Sequence, residues 1–321
     1  MRLLTTQMLE MHPDDARPEL ADMIASHRAV PARTRWWEFR GLDPDGALVG
    51  LATCQIDPEH DDTPDLLGVM VFVDPTWRRR GLGSALLDHL LQLARNVQRT
   101  RIGSWTTSQA PAGEAFARGI GARAVSQGHI NSLHVDRIDR ALLERWVKAG
   151  PQRAPGYELL MWDGPVPDDH LVEFADLYNV MNDAPLDDFV ATEYSVTPEQ
   201  LREWERRSAA ASDETWTVVA RAPDGTMAGF HAVSWTAANP TVVWVADTGV
   251  RQEHRGHALG KWLKATMTLR TLDERPSVKE IRTGNADSND AMLGINHAMG
   301  YQPLMSATTW ELTVDGVDGV D

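Results

Sequence analysis

Cysteine is nearly absent. Cys54 is the only one in 321 residues, which excludes an intramolecular disulfide framework and a thiolate-rich metal cluster. Lysine is scarce as well: Lys148, Lys261, Lys264 and Lys279 are the four among 31 basic residues, an arginine bias that fits a GC-rich genome. No apolar run approaches the roughly 20 residues that span a bilayer, so no membrane partner is expected. The N-terminal stretch MRLLTTQMLEMHPDD lacks a long apolar segment and a small-residue cleavage site, so it reads as the start of a mature, cytoplasmic fold. Positive charge is in deficit, with a formal net charge of −15. That balance repels phosphate backbones, sets nucleic acid aside as a partner, and favours cationic small substrates.

What is present is a soluble globular composition, 42% apolar and 24% charged, long enough for two domains of about 150 residues. The chain also repeats itself. Arg40 to Cys54, RGLDPDGALVGLATC, resembles Arg221 to Trp235, RAPDGTMAGFHAVSW. Each reads as a β-hairpin around a Pro-Asp-Gly turn. Gly46 and Gly225 lie 179 positions apart, as do Gly121-Ala122 and Gly300-Tyr301, and Arg80-Gly81-Leu82-Gly83 matches Arg255-Gly256-His257-Ala258 at 175. Gly150 to Gly156, GPQRAPG, reads as a Pro/Gly-rich linker, which gives a first domain over 1–150 and a second over 156–321.

Leu66 to Val73 is an apolar run of strand length, followed by the basic turn RRRGLGS and a helix from Ser84 to Arg95 with an apolar face. Val242 to Val250, Arg255 to Gly260 and Lys261 to Leu272 follow the same order, with a connection that reads as two residues shorter. Glycines before a helix let several N–H groups point at one spot, where the helix dipole favours an anion. Arg78, Arg79 and Arg80 add charge. The ligand is therefore expected to carry phosphate or pyrophosphate. A dinucleotide fingerprint fails because Leu86 stands where its third glycine belongs, and neither turn carries the GK[ST] of a P-loop.

At these residues the chain resembles the GNAT superfamily of acyl-CoA-dependent N-acyltransferases, whose signature is [Q/R]-x-x-G-x-[G/A]. The first copy matches as Arg78-x-x-Gly81-x-Gly83; the second reads Gly256-x-Ala258 with Glu253 at the polar position. The layout resembles tandem members such as the mycothiol synthases. The resemblance implies an α/β fold of two tandem GNAT domains, each a mixed, mostly antiparallel sheet flanked by helices, and acetyl-CoA as cofactor. Val71 and Val73, and Thr248 and Val250, would then offer backbone hydrogen bonds to pantetheine at a strand that splays from its neighbour. Arg78, Arg79, Arg80, Gly81, Leu82, Gly83 and Ser84, and Arg255, Gly256, His257, Ala258, Leu259, Gly260 and Lys261, would hold the pyrophosphate.

The copies are unequal. The second carries Asn285, Asn289 and Asn296; at an offset of 179 the first has Thr106, Ala110 and Ala117. Amides donate and accept, alanines do neither, although helix caps and turns also use asparagine. The second domain is therefore expected to be catalytic and the first degenerate. Asn289 and Asn285 would contact the cofactor. Asn296 occupies the position of the family's general-acid tyrosine and would orient the sulfur or a water. Asp247 is the first candidate for the base and His231 the second, against the plainer readings of a structural carboxylate and a packed strand residue. His254 and His257 have no apparent third partner, so no metal is expected. Asp183, Asp187, Asp188 and Glu193 concentrate negative charge in an expected acceptor loop, suited to a cationic amine such as an amino sugar or polyamine. The expected protein is a monomeric or homodimeric N-acetyltransferase; the alternatives are a non-catalytic acyl-CoA-binding module and a peptide N-acetyltransferase.

Overall fold

The computed structural model describes residues 2–12, 15–17, 20–59, 61, 63–183 and 195–316. The first half runs α1 (Arg2–Met11), α2 (Leu20–Arg28), β1 (Arg35–Leu42), β2 (Leu48–Ile56), β3 (Leu66–Val73), α3 (Leu82–Asn96), β4 (Arg101–Thr107), α4 (Pro111–Gly119), β5 (Arg123–His134) and α5 (Arg140–Arg153). The second half follows as β6 (Glu158–Asp163), α6 (Leu171–Tyr178), α7 (Pro198–Ala210), β7 (Asp213–Arg221), β8 (Met227–Thr236), β9 (Val242–Val250), α8 (Leu259–Glu274), β10 (Glu280–Ala286), α9 (Asp290–Met299) and β11 (Gln302–Thr313). Both predicted hairpins form, and Gly46 and Gly225 take the left-handed conformation their turns require, at φ 81° and 94°. None of the described helices is long and apolar enough to cross a membrane.

The eleven strands of the described residues join one sheet in the order β1-β2-β3-β4-β11-β5-β10-β9-β8-β7-β6. The last strand of each half has crossed over: β5 pairs with β10 and β11 pairs with β4, while the two strands pair with each other in the middle. Pairing is antiparallel except at β3–β4 and β9–β10. There the contact lasts three residues, Leu66–Gly68 against Arg101–Gly103 and Val242–Trp244 against Glu280–Arg282. Beyond Gly68 and Trp244 the strands part, so the backbone edges of β3 and β9 face a split in the sheet.

Three apolar clusters fix the layers. The predicted apolar face of α3 buries Leu86, Leu87, Leu90 and Leu91 against β2 and β3, at about 1.5–3 kcal/mol for each leucine removed from water. On the same side of the second half, Trp262, Leu263 and Met267 of α8 pack on Val218, Val243 and Ile281. Phe174 and Leu177 of α6 with Leu201 of α7 cover the opposite face over Val219, Phe230 and Ala232.

Part of the expected linker is helix. Gly150 to Arg153 form the last turn of α5, and glycine at 150 is a packing requirement rather than a break, since a Cβ there would lie 2.3 Å from the ring of Trp262. The turn into β6 is made by Gly156 at φ 80°.

Candidate functional site

Two strand–turn–helix units superpose hydrogen bond for hydrogen bond. Arg78 Nε donates to Val73 O at 3.1 Å, and Arg255 Nε to Val250 O at 3.1 Å. Trp77 N donates to Asp74 O at 2.8 Å and His254 N to Arg251 O at 2.9 Å; Ala85 N donates to Gly81 O at 3.0 Å and Trp262 N to Ala258 O at 3.1 Å. Every pair is separated by 177 positions. Arg78, Gly81 and Gly83 therefore correspond to Arg255, Ala258 and Gly260. This corrects the sequence reading twice: the second connection is as long as the first, and its polar residue is Arg255 rather than Glu253.

The glycines misled because each turn needs two left-handed residues. In the first turn these are Arg79 (φ 62°) and Gly81 (φ 81°), in the second Gly256 (φ 89°) and Ala258 (φ 59°). Glycine has moved from one position to the other. A left-handed alanine costs about 1–2 kcal/mol, partly offset by the entropy a glycine would lose on folding. Ala258→Gly is thus expected to stabilise the chain by up to about 1 kcal/mol, read as a higher denaturant midpoint, whereas Gly256→Ala should lower it.

Each turn is braced by a carboxylate from elsewhere in its own half, Glu10 on α1 for the first and Asp183, just past α6, for the second. Arg78 forms a bidentate pair with Glu10 at 2.8 and 2.6 Å, and Arg255 reaches Asp183 at 2.7 Å. Asp183 is therefore neutralised at the turn. Asp187, Asp188 and Glu193 lie outside the described residues. Behind each brace the first N–H groups of α3 and α8 have no intrahelical acceptor, which leaves an anion cradle. Arg79 and Arg80 are exposed beside the first. Beside the second, Tyr157 Oη lies 2.7 Å from His254 Nδ1, His257 Nδ1 lies 3.4 Å from Arg153 O, and Lys261 Nζ sits 5.2 Å from the centre of the Trp146 ring. Among the described residues no cluster of three His, Cys, Asp or Glu side chains is placed to hold a metal.

Between the parted strands of the first half lies a cavity of about 120 Å³ whose lining includes Val71, Leu87, Thr106, Ala110, Ala117 and Ala122. Its counterparts in the second half, at offsets of 177 or 179, are Thr248, Lys264, Asn285, Asn289, Asn296 and Tyr301. The hydrogen bonds support the pairing: Ala122 N donates to Ala117 O at 3.0 Å and Tyr301 N to Asn296 O at 3.1 Å. The exchanged strands extend the contrast. Trp310 of β11 lines the first cavity, its Nε1 bonded to Thr106 Oγ1 at 2.8 Å, and Asn131 of β5 stands at the matching register beside Thr283. At these six positions the first cleft carries a polar side chain only at Thr106, and the second carries one at all six.

In the polar cleft, Asn289 caps α9 by accepting from Met292 N at 3.2 Å. Asn296 is buried, donates Nδ2 to Asn285 Oδ1 at 2.7 Å, and leaves its own Oδ1 without a partner. The strand beside it is also special. The β8–β9 register shifts between Ala232 and Val233, which makes Ala246 the extra residue of a bulge, whereas β2 and β3 pair without a shift from Gly50 to Cys54. Bulges re-aim neighbouring side chains. Next to this one, Asp247 points to the α6 face and accepts a short hydrogen bond from Tyr178 Oη. Burial raises the Asp247 carboxyl above its ordinary range, opposed by the Tyr178 hydrogen bond. Met70 stands at the same place in the first half.

His231, the second base candidate, is on the other face of the sheet from Asp247. It is buried, its Nδ1 lies 2.8 Å from Thr248 Oγ1, and burial followed by the nearby Lys264 holds it far below its usual protonation range. The structure thus brings Asn285 and Asn296 together and puts the side chains of His231 and Asp247 on opposite faces of the sheet. Tyr178 and Lys264 were missed. Tyr178 is 69 positions from Asp247 with no motif joining them; Lys264 had a signal, since subtracting 177 gives Leu87.

Residues 1–122 match the family model described as Acetyltransferase (GNAT) family. Among solved structures, the chain is similar to a tandem GNAT protein from the clavulanic acid biosynthesis pathway, at 27% identity over 96% of this chain and 93% of that one, with a TM-score of 0.77. It shares its fold with a GCN5-related N-acetyltransferase from Sphaerobacter thermophilus (17% identity, 88% and 82% coverage, TM-score 0.58). The same holds for a glucosamine N-acetyltransferase region of a fungal multi-domain GH3 β-N-acetylglucosaminidase (15% identity, 96% of this chain and 36% of that one, TM-score 0.66). No curated protein sequence matches the chain.

Proposed function

We propose, for a chain that belongs to the GNAT family of acyltransferases and carries two of its units in tandem, that the unit of residues 156–321 transfers an acetyl group from acetyl-CoA directly to a small cationic amine, with the unit of residues 1–150 degenerate. The observation that carries this reading is the position-by-position contrast between the clefts. Only the second combines a bulged strand, a buried carboxylate held by a tyrosine, and paired amides.

The residues fit an acyl-CoA. A left-handed turn bares N–H groups at the start of α8 for a pyrophosphate, and the open edge of β9 from Val245 to Val250 suits an arm rich in amides. Asn296 Oδ1 and Lys264 Nζ, both buried and unpaired, ask for a donor and an acceptor. When bound, the cofactor supplies an acyl group activated on a sulfur leaving group. The protein's part is to position it and move protons. Asp247 Oδ takes a proton from the acceptor nitrogen, its proton affinity raised by burial. Tyr178 Oη holds that carboxylate in place, and the Asn285–Asn296 pair fixes the cofactor side of the cleft.

The cationic class rests on the acidic balance of the chain and on the aromatic wall beside Asp247, where Tyr178 stacks on Phe230 at 5.1 Å and meets Trp204 at 5.5 Å. An amino sugar or polyamine has this chemistry. Acetyl-CoA consumption should be measured over a panel of mono- and polycationic amines, neutral amines and peptides. Turnover confined to neutral amines or peptides would overturn the substrate class, and cofactor binding without turnover on any acceptor would favour a regulatory module.

A further inference from the structure

We propose that Lys264 is a catalytic cation of the second cleft: its Nζ takes the sulfur of coenzyme A as its partner and protonates that sulfur as it departs. The inference rests on the functional reading above. Lys264 lies on α8, one to two turns beyond the anion cradle, at the position where Leu87 lines the cavity of the first half. It is 1% exposed, and Nζ has no hydrogen-bond partner. Its described polar neighbours include the ring of Tyr301, whose centre is 5.5 Å from Nζ, and His231 on the sheet face it covers.

Among the described residues those are the titratable groups that face it, Tyr301 from just past α9 and His231 from β8. Burial keeps both uncharged at neutral pH, raising the Tyr301 phenol and lowering the His231 imidazole. Asp247 is on the opposite face of the sheet, so among the described residues no carboxylate neutralises the amine. A buried ammonium without an anion is costly, and the first half shows that leucine fills this place. Its retention beside the polar cleft therefore points to an anionic partner brought by a ligand. Burial also lowers the amine to about 7, where it can both give and regain a proton. Asn296, which shares the cleft, has no proton to give.

The atoms balance. The acceptor nitrogen bonds to the acyl carbon as the C–S bond breaks, and the electron pair of that bond stays on sulfur. Lys264 gives the sulfur one proton, and Asp247 accepts the proton lost by nitrogen. Exchange with solvent returns both groups to their starting state.

The test uses the full chain carrying Gly83→Glu, so that the first cradle does not contribute, and compares Lys264 with Lys264→Leu and Lys264→Met. Leucine is the residue of the equivalent first-half site; methionine keeps the length of the stem should leucine repack. Calorimetry with CoA and desulfo-CoA, and the ultraviolet thiolate absorbance of bound CoA, are the readouts. The expected result is a preference for CoA over desulfo-CoA of about tenfold or more and a thiolate band at pH 7, both lost in the two variants while desulfo-CoA affinity is kept. An unchanged preference in the variants, or none in the parent chain, overturns the role of Lys264. Absence of any CoA binding in the parent chain overturns instead the assignment of the second cleft.

Discussion

Asp247→Asn is expected to lower kcat by roughly 10²–10⁴, the usual worth of a general base, and to make the folded protein more stable at neutral pH. The two effects have one cause. Burial raises the folded-state affinity of this carboxyl for its proton above that of the unfolded chain, so between the two pKa values the native state holds more protons. Stability therefore falls as pH rises through that window, and the full penalty is present above the folded value. Asparagine has nearly the same shape, still accepts from Tyr178, and carries no penalty. The variant should gain stability over the parent chain at pH 8, with the gain vanishing below about pH 4, near the unfolded value of an aspartate. Tyr178→Phe removes the hydrogen bond that favours the ionised form. The acidic limb of its kcat/KM profile should therefore move to higher pH, with a smaller loss of rate. An Asp247→Asn protein that retains most of its turnover would place the base elsewhere.

Much of this architecture could be read from local periodicity. The runs Leu66–Val73 and Val242–Val250 are strands with those bounds, and the leucine face of α3 is where helical spacing put it, because buried strands and amphipathic helices declare themselves within a few residues. The amide wall was legible for another reason: the chain contains its own comparison, and an offset of 179 sets Asn296 against Ala117. The same device failed at the turn, where glycine marks either of two left-handed positions and matching glycine to glycine slips the register by two. The strand exchange left no local mark. Any apolar strand of the right length pairs equally well in either half, and only the assembled sheet shows that Trp310 reaches the first cleft and that β5, carrying Asn131, pairs with β10 of the second. Contacts such as Tyr178–Asp247 are set by that assembly, so spacing along the chain could not announce them.

The exchange also makes the halves hard to test apart, since each cleft borrows a wall from the other. Paired substitutions in the intact chain avoid this. Gly83 and Gly260 are equivalent positions in the first turns of α3 and α8, and each is tight against one equivalent side chain: a Cβ would lie 3.3 Å from Phe116 at the first and 3.2 Å from Ile295 at the second. Replacing either by glutamate therefore imposes a similar packing cost and sets a carboxylate at the mouth of an anion cradle. A like charge there costs several kcal/mol against a bound pyrophosphate, which corresponds to a loss of roughly 10²–10³ in kcat/KM when the cradle is the working one. Gly260→Glu is expected to show that loss. Gly83→Glu should stay within about a factor of three, because its cleft holds Met70, Val71, Leu87 and Ala117 where the other holds Asp247, Thr248, Lys264 and Asn296. Steady-state turnover and the denaturant midpoint of each variant check the pair together. Equal midpoints with opposite activities locate the chemistry in the second cleft; a Gly83→Glu protein that is folded and inactive moves it to the first.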